Sequence, residues 1–303
     1  MTKLTQSLPP QSLGNAAQPP AFQSTNQRQR LLRTFLKNRL AIVGILLVMA
    51  ITLVALTAPW LAPHDPVEQS ARDRLAPPSN EYYLGRDTYG RDIYSRILYG
   101  ARISLLVGVC SVLLGSVTGI AMGVTAGYLG GRTETIIMRV VDTLLAFPDL
   151  ITGLLVLAVL GAGLVKMILA IGLVISPRFA RLAHGPTLSL RAKDFVHAAQ
   201  AVGVGNVRMV WRHILPNLVG EMVVMASLWT ASAIRIEANL SFIGLGISPP
   251  TPTWGQMISE GAAHLTTAPW FSLFPGLAVL ITVLAFNLLG DGLRDVLDPR
   301  LQS

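Results

Sequence analysis

The sequence predicts an all-α membrane protein of about six transmembrane helices, and three observations predict it. Hydrophobic residues make up 51% of the 303 positions and charged residues only 13%, against roughly 25% charged in ordinary soluble domains. The apolar residues come in long uncharged blocks, each able to satisfy its own backbone as a helix in a bilayer. The basic residues fall between those blocks instead of on one face of a soluble fold, so the formal charge of +8 reports membrane topology and gives no reason to expect a nucleic-acid partner. Lipid is the expected solvent. Cys110 is the one cysteine and sits in an apolar run, which leaves neither a disulfide framework nor a cysteine metal site.

Residues 1–39 read as a flexible basic cytoplasmic tail. They are rich in Gln, Pro, Ser and Asn, carry Arg28, Arg30, Arg33, Lys37 and Arg39, and lack any acidic residue. The run at 40–61 matches the about 20 residues of a full span and lacks a small-residue cleavage site, so it is expected to remain as the first transmembrane helix. Residues 62–102 follow as a periplasmic segment, and 103–290 as a core of five further spans, near 103–129, 136–161, 164–183, 218–240 and 271–290. Residues 291–303 form a cytoplasmic tail.

The charge balance orients this arrangement. Segment 178–217 has six basic residues and one acid, whereas 241–270 has no Lys or Arg, so the first faces the cytoplasm and the second the outside. The outer segments hold Pro249, Pro250 and Pro252, which forbid regular helix, and Trp254 and Trp270, which suit an interface. At 90–105, Ile93, Ile97, Leu98 and Ala101 recur at helical spacing with Arg91, Arg96 and Arg102 between them. That pattern fits a helix on the outer surface or simply the start of the second span.

The cytoplasmic stretch 193–217, KDFVHAAQAVGVGNVRMVWRHILPN, predicts two short helices inside a loop at 184–217. Asp194 is an expected N-cap, Gly203 and Gly205 suit a positive φ, Asn206 can cap the second helix and Pro216 can stop it. The apolar side formed by Phe195, Val196, Ala199 and Val202 is too short to span and too small for a core. It requires a partner. Small residues such as Ala198, Ala199 and Gly203 let a helix sink into a groove, and Arg208 and Arg212 can meet acidic or carbonyl groups at its rim.

These residues resemble the EAA-x3-G-x9-I-x-L-P signature of binding-protein-dependent ABC permeases, in which this loop docks into an ATPase subunit. Ala198, Ala199, Gly203, Leu215 and Pro216 fall on motif positions, while His197 replaces the leading Glu and His213 the Ile. Three further stretches resemble the dipeptide, oligopeptide and nickel subfamily: LGRDTYGRDIYSRILYGARISL at 84–105, LSFIGLGISPPTPTWGQMI at 240–258 and FNLLGDGLRDVLDPRL at 286–301. The resemblance covers the chain from about residue 35 onward. It implies the type I ABC importer permease architecture with both termini cytoplasmic, in a bacterial inner membrane. It also implies a second homologous permease, two ATP-binding subunits and a periplasmic or lipid-anchored solute-binding protein as partners. The sequence carries no G-x4-GK-[ST] phosphate loop, so no cofactor is expected on this chain, and ATP and Mg belong to the partner ATPase subunits.

The expected function is a non-enzymatic permease subunit for dipeptides, oligopeptides or similar solutes, with a nickel-chelate or glutathione importer as the alternative. A stand-alone channel or ion-driven carrier is the competing class. It would favour acidic relays or broken helices near mid-membrane, whereas the charges here cluster near span ends. Arg235 and Glu237, near the outer end of the fifth span, are candidates for the translocation path. Asp142 and Asp149 bracket Phe147 and Pro148 at an expected helix bend, a candidate gating kink. Glu221 and Lys166 read as interfacial groups. The histidines His64, His184, His197, His213 and His264 are scattered, so no metal site or membrane-embedded enzyme is expected.

Overall fold

The computed structural model describes residues 38–297. The tails expected at 1–37 and 298–303 lie outside the described residues. Helix α1 covers Arg39–Leu61 and α2 covers Ile93–Leu129, a single helix of 37 residues. The chain continues through α3 (Gly131–Leu145), α4 (Asp149–Leu160) and α5 (Leu164–Arg191). It then forms α6 (Asp194–Ala201), α7 (Asn206–Met209), a π-helical turn at Val210–Ile214, and α8 (Leu215–Phe242). Helices α9 (Trp254–Ala262) and α10 (Trp270–Leu297) complete it.

Among the described residues, four helices are long and apolar enough to cross a membrane: α1, α2, the continuous 206–242 stretch and α10; the bent pair α3–α4 makes a fifth if taken together. With α5, which at 28 residues is about 42 Å long, the described residues make about six passages. Helices α2 and α5 run parallel, because Gly115 meets Gly172 and Gly127 meets Thr187. The connection between them must therefore return across the bilayer, and the bent α3–α4 pair makes that return.

Close approach of backbones, not apolar burial alone, holds the spans together, as expected where lipid is as apolar as leucine. Gly115, Gly119, Gly123 and Gly127 recur every fourth residue on one face of α2. A β-carbon on Gly119 would lie 2.2 Å from the carbonyl oxygen of Ser176, and one on Gly123 2.2 Å from that of Ala180. Each glycine is thus a seat for the α5 backbone. Helices α1 and α10 pack antiparallel, with Gly44 against Leu289 and Gly292 against Ala41. Asn38 Nδ2 donates to Asp295 Oδ2 at 2.9 Å, placing the start of α1 and the end of α10 on one side, with Arg39 and the basic 178–217 segment.

On the opposite side the start of α2 is not a surface helix. Asp92 caps it, accepting from the Ser95 amide at 2.9 Å. Asp87, fully buried, lies 2.5 Å from Arg91 Nε and 3.4 Å from Arg96 Nε. Arg91 also reaches Glu260 of α9 at 2.9 Å. Trp254, expected at the interface, is buried instead: its ring indole donates to the Ile97 carbonyl at 3.0 Å and it packs over Gly100. The outer segments are thereby clamped onto α2. Asp87→Asn leaves the buried Arg96 without its carboxylate and should destabilise this cap by about 3–5 kcal/mol. A lower unfolding temperature in detergent checks this; an unchanged one contradicts it.

Candidate functional site

The cytoplasmic segment 192–216 follows directly from α5 and leads directly into α8. Helix α6 ends in a Schellman arrangement: the Gly203 amide donates to the Gln200 carbonyl at 2.9 Å and the Val204 amide to the Ala199 carbonyl at 3.1 Å. That closure needs φ +82° at Gly203, a conformation natural for glycine. Gly205, expected to share it, has φ −68°. Asp194 is the first helical residue and Lys193 holds the cap position without a side-chain bond, so Asp194 acts on the helix dipole. Asn206 likewise opens α7 instead of capping it. Its Oδ1 accepts from the Tyr128 hydroxyl at 3.0 Å, tying the segment to the inner end of α2. Pro216 does not stop a helix. It stands in the first turn of α8, and the π turn before it absorbs the missing amide bond.

Val196, Met209 and Ile214 are fully buried and anchor the segment to the bundle. Val196 therefore leaves the expected free apolar face. That face keeps Phe195, with Val202 81% exposed, and gains Val207 and Trp211, 74% and 70% exposed. Val207 and Trp211 were not among the residues expected from sequence, although their i, i+4 spacing is the signal that places them on one helix face. His197, Ala198, Arg208, Arg212 and Pro216 are exposed, while Ala199 and Leu215 are half-buried. Most of the expected docking residues are therefore exposed within this one segment.

The second feature is an elbow. Sequence hydropathy predicts one span at 136–161, but the chain bends by 96° between α3 and α4. Pro148 occupies the N-cap position of α4, where its lost amide costs nothing and its fixed φ favours a new start. Helix α3 carries only Val141 fully buried and lies along the bundle edge. Helix α4, 12 residues long, is about 18 Å, less than the about 30 Å hydrocarbon core.

Three pairs lash this elbow to successive turns of α5. Asp149 pairs with Arg178, Asp142 with Arg181, and Glu134 with His184, the last at 2.8 Å. Arg178 also sits 4.8 Å over the Trp229 ring of α8, so one guanidinium joins α4, α5 and α8. Sequence reading found the proline and the two aspartates but not their partners.

Arg235 and Glu237 part company. Arg235 is exposed, whereas Glu237 is fully buried and accepts from Ser241 at 2.8 Å and Ser104 at 3.2 Å. Glu237 thus fastens α8 to α2 and does not face an open path, as the neighbouring serines satisfy it inside the protein. Glu221 and Lys166 are exposed.

The chain is thus a multi-span helical bundle that carries an anchored helix pair with an exposed apolar face between α5 and α8. Residues 119–303 match the family described as binding-protein-dependent transport system inner membrane component, and residues 26–78 match the N-terminal transmembrane domain of oligopeptide transport permease C. The chain belongs to this family of ABC importer permeases and is a multi-pass protein of the bacterial inner membrane. It is 42% identical over 267 residues to the dipeptide transport system permease protein DppC of Alkalihalophilus pseudofirmus, covering 88% of each chain. It is 43% identical to the glutathione transport system permease protein GsiD of Pectobacterium atrosepticum, covering 89% of this chain and 90% of that one. It is 39% identical to the di/tripeptide transport system permease protein DppC of Pseudomonas aeruginosa, over 95% and 97% of the two chains. A solved chain in inward-facing structures of the MetNI methionine ABC transporter shares the fold, with TM-score 0.55 and 18% identity over 66% of this chain and 96% of that one.

Proposed function

We propose that this chain supplies half of the translocation path in an importer for peptides or peptide-like solutes, driven through the 194–216 segment by ATP-binding subunits. The observation that carries the docking role is the solvent-facing Phe195, Val202, Val207 and Trp211 on a segment whose inner side, Val196, Met209 and Ile214, is anchored in the bundle. Apolar side chains held out on rigid backbone are what a grooved partner binds. In this reading the partners are a second homologous permease, two ATPase subunits that bind ATP and Mg, and a solute-binding protein on the outer face. The peptide cargo is supported by the dipeptide and di/tripeptide permeases that are its relatives. The glutathione permease relatives favour a second cargo, itself a tripeptide.

Closure of the ATPase subunits moves the docking segment, and α5 and α8, which leave it in opposite chain directions, carry that motion into the bilayer. The elbow is the moving element in this reading: Arg178 holds α4 and Arg181 holds α3 against α5, and their release frees the bend. An exposed pair such as Arg181–Asp142 contributes about 0–1 kcal/mol, and one to two kcal/mol in total shifts a two-state balance about 5–30-fold. Arg178→Gln with Arg181→Gln should leave insertion intact and reduce coupled uptake about tenfold, with ATP hydrolysis less dependent on cargo. Unchanged uptake and unchanged coupling would remove the elbow from the mechanism.

The reading as a whole is tested by purifying tagged protein from native membranes in mild detergent. A second permease and ATPase subunits should co-purify with ATP hydrolysis stimulated by peptide-loaded binding protein. A chain that purifies alone and transports peptide in vesicles without ATP would overturn it.

A further inference from the structure

Helices α1, α2 and α10 leave an open groove of about 460 Å³ between them. Its walls are Leu56 of α1 and Leu106 and Val109 of α2, between 44% and 65% exposed, and its floor is the ring of Phe286 of α10. Tyr99 and Arg102 close one end, with the Arg102 guanidinium 5.9 Å over the Tyr99 ring. We infer that this groove seats one acyl chain of an anionic phospholipid of the outer leaflet, with its phosphate on Arg102.

Charge points to that occupant. Arg86, Arg91 and Arg96 on the approach to α2 each have a carboxylate partner. Arg102 is exposed and, among the described residues, stacks on Tyr99 without one. Its position also fits. The outer side of the bundle is the start of α2, and the seven residues from Arg102 to Val109 run about 10 Å inward, within the outer half of an about 30 Å hydrocarbon core. A guanidinium at that boundary faces headgroup phosphates, and an aromatic ring beside it suits the same level.

The distribution of polar groups separates a lipid from a partner helix, since Tyr99 and Arg102 stand together at one end of the groove. One flexible acyl chain conforms to it, and the polar cap at a single end matches an amphiphile instead of a uniformly apolar surface.

Native mass spectrometry tests the assignment on the purified complex, offered equal amounts of palmitoyl-oleoyl phosphatidylglycerol and the matching phosphatidylethanolamine. Phosphatidylglycerol should be retained about fivefold over its partner, the bias expected of one basic side chain at an anionic headgroup. Arg102→Gln should abolish that preference, and Leu106→Trp, which fills the groove, should lower retention of both lipids in a complex that remains assembled. Equal retention by the unaltered protein, or a preference that survives Arg102→Gln, shows boundary lipid only and overturns the proposal. So does efficient cross-linking of Leu56→Cys, in a Cys110→Ser background, to another protein subunit.

Discussion

Val202→Glu is expected to abolish ATP-driven uptake while the chain still inserts, folds and accumulates. Val202 is 81% exposed at the end of α6, so a carboxylate there is solvated in the free subunit and surface changes of this kind alter stability by about 0.5 kcal/mol or less. In a closed apolar interface the same group must be desolvated without a partner, at several kcal/mol, enough to weaken docking by two orders of magnitude or more. Gly203→Pro should give the same loss by another route. It removes the amide that bonds to the Gln200 carbonyl and demands a negative φ where the backbone has +82°, so α6 loses its terminus while the spans remain. Uptake assays with membrane yield as the control decide both variants, and normal uptake by Val202→Glu would remove α6 from the interface.

Gly119→Val should produce the opposite phenotype, a failure of the fold. Its β-carbon would stand 2.2 Å from the Ser176 oxygen and 2.6 Å from the Phe179 β-carbon, both on the buried face of α5. Neither can yield without moving the α5 backbone, because β-carbons on Gly115 and Gly123 would also lie only 2.8 and 2.2 Å from it. Overpacking of this kind costs about 1–3 kcal/mol or more, and it strikes the contact that sets α2 and α5 parallel. The variant should accumulate several-fold less and lose uptake in proportion. Gly276→Val in α10 is the control, since a β-carbon there meets nothing within 4 Å. Equal accumulation of Gly119→Val would show that α2 and α5 do not close to this distance.

The contrast between these variants marks what the chain's sequence reveals. The 194–216 segment is legible because its determinants are local: a glycine where the backbone must turn, and small and apolar residues within one or two helical turns. The orientation is equally legible, since it depends on counts of charge in loops. The elbow is only half legible. Pro148 announces a break, but the 96° bend is held by Arg178 and Arg181, some 30 residues away, and nothing near the proline identifies them. Glu237 misleads for a related reason. An acid in an apolar run suggests a path-lining group, and only tertiary packing brings Ser104 to meet it. Trp254 looks like an interfacial anchor until Gly100 supplies the seat that buries it. The glycine ladder of α2 is visible in the sequence as spacing every four residues, yet spacing alone does not say which helix it receives.

The most direct test of the central claim uses the chain's single native cysteine as an advantage. In a Cys110→Ser background, Val202→Cys, Val207→Cys and, as a control on the opposite side of the membrane, Tyr83→Cys, 59% exposed, are cross-linked in native membranes and the products are identified by mass spectrometry. The account predicts that positions 202 and 207 link to an ATP-binding subunit, with the yield altered by nucleotide, and that position 83 does not. Links from 202 and 207 to no ATPase, in membranes that retain ATP-driven uptake, would contradict it.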